Sequence, residues 1–247
     1  MQREQAAGGA ARQTTARSFD PRGGLRWRLT RDLSSFLRTR VFGLRLEVEG
    51  LEHVPTGESL IVAGGPHRNG MDAFLIMHAL PAFPRIYFVG SHEAVANRWI
   101  NRLAVFGFGG LVPVATAGQL NREALETALA ILAAGASLGI FPEGWDIGGL
   151  PPDRVMPIKR GVGFLAVRSG RRVLPVGIAG TGELWRGKTL RLRIGQPLSP
   201  PPEGSNRERE AALAAELEQM LNALRPPLPP EPADQRKSWR WLTHLVG

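Results

Sequence analysis

The sequence predicts an α/β fold, a largely parallel central sheet flanked by helices, with an amphipathic helix before it and a helical tail after it. Three observations predict this. Short β-rich runs alternate with helical ones through the middle of the chain, the pattern that yields a parallel sheet covered on both faces. At 247 residues, of which 43% are hydrophobic, the chain is long and apolar enough to build one large core. Glycines and prolines fall at the ends of the apolar runs, so polar residues arrive at strand-to-helix turns.

The elements follow in order. Residues 1–24 are polar and rich in glycine and alanine, without the apolar segment of a secretory signal, and read as a disordered lead-in. Residues 25–43 have helical spacing: Leu25, Leu29, Leu33, Phe36 and Leu37 fall near one face, and Arg26, Arg28, Arg31, Arg38 and Arg40 crowd the rest. Such a helix can lie in an anionic lipid interface, or its apolar face can pack on the domain with the arginines solvated. Residues 44–203 carry the β-rich runs Leu44–Val48, Ser59–Ala63, Arg85–Val89, Leu111–Val114, Leu138–Phe141, Val173–Ile178 and Leu190–Ile194. Helical segments are expected between most of them, over Asp72–Leu80, Glu93–Phe106, Arg122–Ala134 (capped by Asn121 and stopped at Gly135) and Gly161–Arg168. Pro175 inside its run suggests an edge strand, a strand start or a bulge. In 204–225, Leu213, Leu217, Met220, Leu221 and Leu224 make an apolar helical stripe. Residues 226–247 are first proline-rich and then interleave tryptophans with basic residues, a mixture that suits a membrane interface or a segment docked on its own domain.

Charge and composition narrow the function classes. A net charge of +9 and a pI near 11.2 point to an anionic partner, whether nucleic acid, membrane surface or phosphorylated substrate. With no cysteine there is no disulfide framework, thiolate nucleophile or cysteine-ligated zinc. No apolar stretch reaches the ~18 residues of a membrane span. The expected location is cytoplasmic, peripheral on the inner face of the cell membrane. No nucleic-acid recognition motif accompanies the basic charge, so nucleic acid is not an expected partner.

Two strand-end motifs carry the chemistry. Gly64-Gly65-Pro66-His67-Arg68-Asn69-Gly70-Met71-Asp72 delivers a histidine to a strand-to-helix turn with a carboxylate five positions on. A carboxylate so placed can hold an imidazole in one tautomer as a general base, although Asp72 could also be there only to cap the helix. Phe141-Pro142-Glu143-Gly144 also follows an apolar strand and should reach the same sheet edge, where ligands of parallel sheets bind. A third element, Pro157-Ile158-Lys159-Arg160-Gly161, sets two cations beside a helix N-terminus, a plausible anion site or simply a solvated loop.

In sequence order, His67-x4-Asp72, Gly110-Leu111-Val112-Pro113-Val114, Phe141-Pro142-Glu143-Gly144 and Leu174-Pro175-Val176 resemble the four motifs of the glycerolipid (PlsC-like) acyltransferases. The resemblance spans roughly residues 44–197, and Lys159-Arg160-Gly161 is similar to a further family element. It implies an O-acyltransferase of phospholipid metabolism with no metal and no cofactor beyond acyl-CoA or acyl carrier protein as co-substrate. By resemblance, His67 takes the proton of a lysolipid hydroxyl, of the 1-acylglycerol-3-phosphate type, while Asp72 orients His67. Asn69, Arg68, Glu143, Gly144, Lys159 and Arg160 would bind the acceptor. Two positions depart from the family. Arginines expected after the second and third motifs are replaced by Ala115-Thr116 and Trp145-Asp146. Either Lys159, Arg160 or Arg154 takes over the acceptor phosphate, or the acceptor differs. A catalytically silent member that binds lipid or a partner is the alternative.

Overall fold

In the computed structural model, residues 19–91, 110–114, 122–143, 157–227 and 238–246 are described. They form a seven-stranded sheet with spatial order β1-β7-β6-β2-β5-β3-β4. The strands are β1 (Arg45–Glu49), β2 (Ile61–Gly65), β3 (Ile86–Ser91), β4 (Leu111–Val114), β5 (Ser137–Ile140), β6 (Val173–Ala179) and β7 (Thr189–Ile194). All neighbours are parallel except β6 and β7. Every position of β2, β5 and β6 is buried, as strands covered on both faces must be, whereas β7 alternates between buried and half-buried.

Helices cover both faces. On one side α2 (Met71–Ala79) packs Leu75, Ile76 and Met77 over Val62, Leu174, Val176 and Ile178. On the other, α3 (Arg122–Ala133), α4 (Gly161–Ser169) and α5 (Asn206–Leu224) pack Ile131, Leu165, Leu213, Leu217 and Leu221 over Ile61, Ala63, Leu138 and Val173. Alternate residues of β2 thus feed opposite layers, the period of an extended strand. The start of α5 is fixed by a capping box, in which the Glu208 amide donates to Ser205 Oγ and the Ser205 amide to Glu208 Oε2. Gly135, at φ +79, stops α3 as expected. The helix expected over Glu93–Phe106 and the Asn121 cap lie outside the described residues.

Several expectations need correction. Residues 19–24, read as part of a disordered lead-in, lie against β3: Phe19 meets Tyr87 edge-on, the Tyr87 hydroxyl donates to Asp20 O, and the Arg85 amide donates to Pro21 O. The rest of that lead-in, 1–18, is outside the described residues. Pro175 is not on an edge strand, because β6 lies between β7 and β2. Its missing N–H is tolerated because the β6–β7 ladder begins one residue later, at Val176 paired with Ile194. The basic tail adds a short helix, α6 (Trp241–Val246), docked through buried Leu242 and through Thr243 Oγ1, which accepts from the Leu184 amide and donates to Leu184 O.

The amphipathic helix, for which two placements were open, is α1 (Leu25–Phe36), continued by the π-helical turn Leu37–Val41. The apolar face does not pack on the domain. Leu25, Leu29, Leu33 and Phe36 are 73, 59, 58 and 56% exposed. Trp27 is buried on the inner side, and Arg31, Ser34 and Arg38 make the polar contacts there. Arg31 donates to Leu80 O at 2.8 Å, and Ser34 Oγ lies 2.8 Å from His78 Nε2. Arg85 sits between the rings of Trp27 and Tyr87, clamping α1 to β3.

Two stability predictions follow from this packing. A Cβ on Gly163 would run into the backbone of Glu210 where α4 meets α5. Gly163→Ala should cost about 1–3 kcal/mol, seen as a lower urea midpoint with an unchanged slope. In the α1–α2 joint, burial and then the positive charge of Arg38 push His78 down to about 4, with Arg31 also close. The folded protein keeps His78 neutral, whereas the unfolded chain protonates it from about pH 6.5 downward. Its contribution is therefore full above pH 6.5 and is lost as pH falls towards 4, roughly 3 kcal/mol in all. Denaturation at pH 7 and pH 4.5 should give a smaller difference for His78→Gln than for the wild type.

Candidate active site

Because β2 and β5 are adjacent and parallel, with Ala63 opposite Ile140, their following turns leave the sheet side by side. The first turn carries His67 and leads into α2, and the second carries Phe141, Pro142 and Glu143. The two turns are joined directly: the His67 amide donates to Glu143 Oε1 at 3.1 Å, and both residues are buried.

Asp72 lies in the first turn of α2 and is fully buried. A single oxygen, Oδ2, accepts three hydrogen bonds, from His67 Nδ1 at 2.9 Å, the Arg68 amide at 2.6 Å and the Asn69 amide at 3.1 Å. The two amides precede α2, whose N-cap Gly70 carries no side-chain cap, so Asp72 shapes the turn and orients the histidine in one geometry and does not cap the helix. With Nδ1–H donated to the carboxylate, Nε2 is the basic nitrogen, and the tautomer follows from this hydrogen bond. Among the described residues Asp72 Oδ1 has no hydrogen-bond partner. The arrangement is that of a base–orienter pair, able to take a proton from a hydroxyl presented to Nε2.

Asn69 is buried, and its amide faces the protein. Nδ2 donates to Thr181 O at 2.7 Å, just past β6, while Oδ1 accepts from the Met71 amide at 2.9 Å. It ties the histidine turn to the loop after the fourth motif. Arg68 is half-buried, with its amide on Asp72. Lys159 and Arg160 have exposed side chains at the start of α4, and the Lys159 amide donates to Pro142 O at 2.9 Å. Their backbone is thus attached to the turn that carries Glu143. Gly144 lies outside the described residues, as do Thr116, Asp146 and Arg154. Among the described residues no group of three His, Cys, Asp or Glu side chains is gathered to hold a metal ion.

One neighbour of the histidine escaped sequence reasoning. The Phe141 ring stacks on the imidazole with centroids 3.9 Å apart and planes at 12°, and Phe88 lies beyond it at 5.9 Å and 21°. The only signal for this in the sequence is an aromatic residue at the end of the β5 run; contact with His67 depends on strand order.

Comparison with known proteins agrees with this frame. The profile of the Acyltransferase family matches residues 45–179, more than half of the chain. The chain is 26% identical over 153 residues to a 1-acyl-sn-glycerol-3-phosphate acyltransferase of Limnanthes alba, covering 62% of this chain and 52% of that one. It is 24% identical over 141 residues to a chloroplastic 1-acyl-sn-glycerol-3-phosphate acyltransferase of Arabidopsis thaliana, covering 57% of this chain and 37% of that one. The chain thus spans only about a third to a half of the length of these curated relatives. The fold is similar to the crystal structure of the 1-acyl-sn-glycerophosphate acyltransferase PlsC from Thermotoga maritima, with a TM-score of 0.58 and 24% identity over 80% of this chain and 79% of that one. At that identity the likeness establishes the fold alone. The profile match over more than half of its length places the chain in the Acyltransferase family, with the fold seen in PlsC.

Proposed function

We propose that this chain is an O-acyltransferase that moves a fatty acyl group from acyl-CoA or acyl carrier protein to a lysolipid hydroxyl, with a 1-acylglycerol-3-phosphate-like acceptor favoured. The observation that carries this reading is the 2.9 Å hydrogen bond from His67 Nδ1 to the buried Asp72 carboxylate at a strand end. The acceptor hydroxyl gives its proton to His67 Nε2 while its oxygen attacks the thioester carbonyl. The tetrahedral intermediate then collapses, the C–S bond breaks, and the imidazolium returns the proton to the departing thiolate. Asp72 holds the tautomer and stabilises the imidazolium, and the acceptor oxygen is the nucleophile, so no acyl-enzyme forms. Glu143 and Gly144, with Arg68, Lys159 and Arg160, line the acceptor side in this reading, while Asn69, its amide taken up by Thr181 O and the Met71 amide, holds the turn. The relatives named as 1-acyl-sn-glycerol-3-phosphate acyltransferases support the acceptor class.

The same reading sets the protein peripherally on an anionic membrane, on the inner face of the cell membrane. The support is the exposed apolar stripe of α1, flanked by exposed Arg26, Arg28 and Arg40. Beside it, Phe42 meets Trp239 at 6.4 Å, and Trp239 and Trp241 are 37 and 51% exposed. Tryptophans and arginines around an apolar face fit the head-group region. No described helix is long and apolar enough to cross a bilayer.

The alternative of a silent, lipid-binding member is favoured by one observation, the replacement of the expected arginines by Ala115-Thr116 and Trp145-Asp146. A screen of purified protein with radiolabelled acyl-CoA and acyl carrier protein thioesters against diverse lysolipids separates the two. Activity should appear with at least one acceptor, and His67→Ala should lower kcat/KM by about 10²–10⁴ with the fold intact. Wild-type turnover in that variant would sink the assignment, and no thioester consumption across the panel would favour the silent reading. Leu29→Glu with Leu33→Glu should weaken binding to anionic vesicles by at least about tenfold in a sedimentation assay; unchanged binding would remove α1 from the interface.

A further inference from the structure

Resting on that reading, we propose that Phe141 is a positioning residue for the reaction, setting the plane of the His67 imidazole and stabilising the imidazolium formed when the acceptor proton arrives. The two rings lie face to face, 3.9 Å apart and 12° from parallel. An imidazole stacked this way gains more from an aromatic face when charged than when neutral, because the negative ring face attracts a cation. The stack also closes one side of the imidazole to water, while the Asp72 hydrogen bond fixes the ring's edge. Edge and face are thus held by different elements, α2 and the end of β5.

The sheet is built to admit this column of rings. A Cβ on Gly64 of β2 would stand 2.8 Å from Phe141 Cε1 and 2.8 Å from Ile76 Cδ1. A Cβ on Gly139 of β5 would run into the ring of Phe88, which is paired across from it in β3. Glycines at these two central positions clear the floor on which Phe88 and Phe141 lie, and Phe141 carries the column up to His67. Glycine in a buried strand interior has a local cost and marks close approach; here what approaches is the column ending on the histidine.

The role predicts a split that ordinary packing does not. Phe141→Leu keeps an apolar side chain in place but removes the π face; kcat should fall about tenfold while KM changes no more than about twofold. Phe141→Tyr keeps the face and should retain most of kcat. A reading independent of turnover is the proton NMR signal of His67 Cε1–H, expected upfield of an ordinary histidine in the wild type and in Phe141→Tyr, and displaced downfield in Phe141→Leu. Wild-type kcat in a folded Phe141→Leu protein, failure of Phe141→Tyr to restore it, or an ordinary His67 shift in the wild type would each overturn the proposal. His67→Ala assayed beside them separates the two claims: if it is inactive while Phe141→Leu is fully active, only the role of Phe141 falls; if it keeps wild-type turnover, the acyl-transfer reading falls.

Discussion

Three donors converge on one carboxylate oxygen, Asp72 Oδ2, and the geometry of the site depends on that convergence. A fully buried carboxylate is costly to desolvate unless donors compensate it. Two of the donors are backbone amides of the turn itself, so compensating the charge and shaping the turn are the same event. The carboxylate also lies in the first turn of α2, where the helix dipole favours negative charge. The third donor, His67 Nδ1–H, has its direction imposed by a turn already shaped, which leaves the imidazole little freedom to leave the required tautomer.

The turn would be of little use without a second element to meet it, and sheet order supplies one. The central pair β2 and β5 run parallel, so the His67 turn and the Phe141–Glu143 turn emerge together, bonded through the His67 amide and stacked through the two rings. A third anchor comes from past β6, the other neighbour of β2, through Asn69 and Thr181 O. The histidine turn is therefore fixed from both flanking strands and from its own helix, the rigid support that the proposed proton transfer needs.

Much of this was legible in the sequence, for identifiable reasons. The seven described strands were expected near their observed positions because apolar, β-branched runs bounded by glycine and proline have few other uses. Helix α5 was readable because an apolar stripe runs along it, and its start is fixed by the Ser205–Glu208 capping box. The pairing of His67 with Asp72 was readable because a turn and one helical turn span it locally. Features that depend on long-range neighbours were not. Phe141 meets His67 only because β5 follows β2 in space, an order that the local run does not encode. For Pro175 the local run left an edge, a strand start or a bulge open, because its tolerance depends on where the β7 ladder starts. The short helix α6 gains its stability from docking on Leu184 and not from its own six residues.

The orientation of α1 illustrates the same limit and joins the site to its surroundings. An amphipathic pattern states which residues share a face, not which face meets the domain. Here the inner contacts include a Trp–Arg–Tyr stack and polar bonds to Leu80 O and His78, leaving Leu25, Leu29, Leu33 and Phe36 outward. Burying those four side chains in water-free surroundings would release substantial apolar area, which in the proposed reading the lipid interface accepts. The joint that α1 makes is with α2, the helix that begins beside Asp72 and ends beside His78. In the proposed reading, attachment and chemistry are carried by opposite ends of one nine-residue helix.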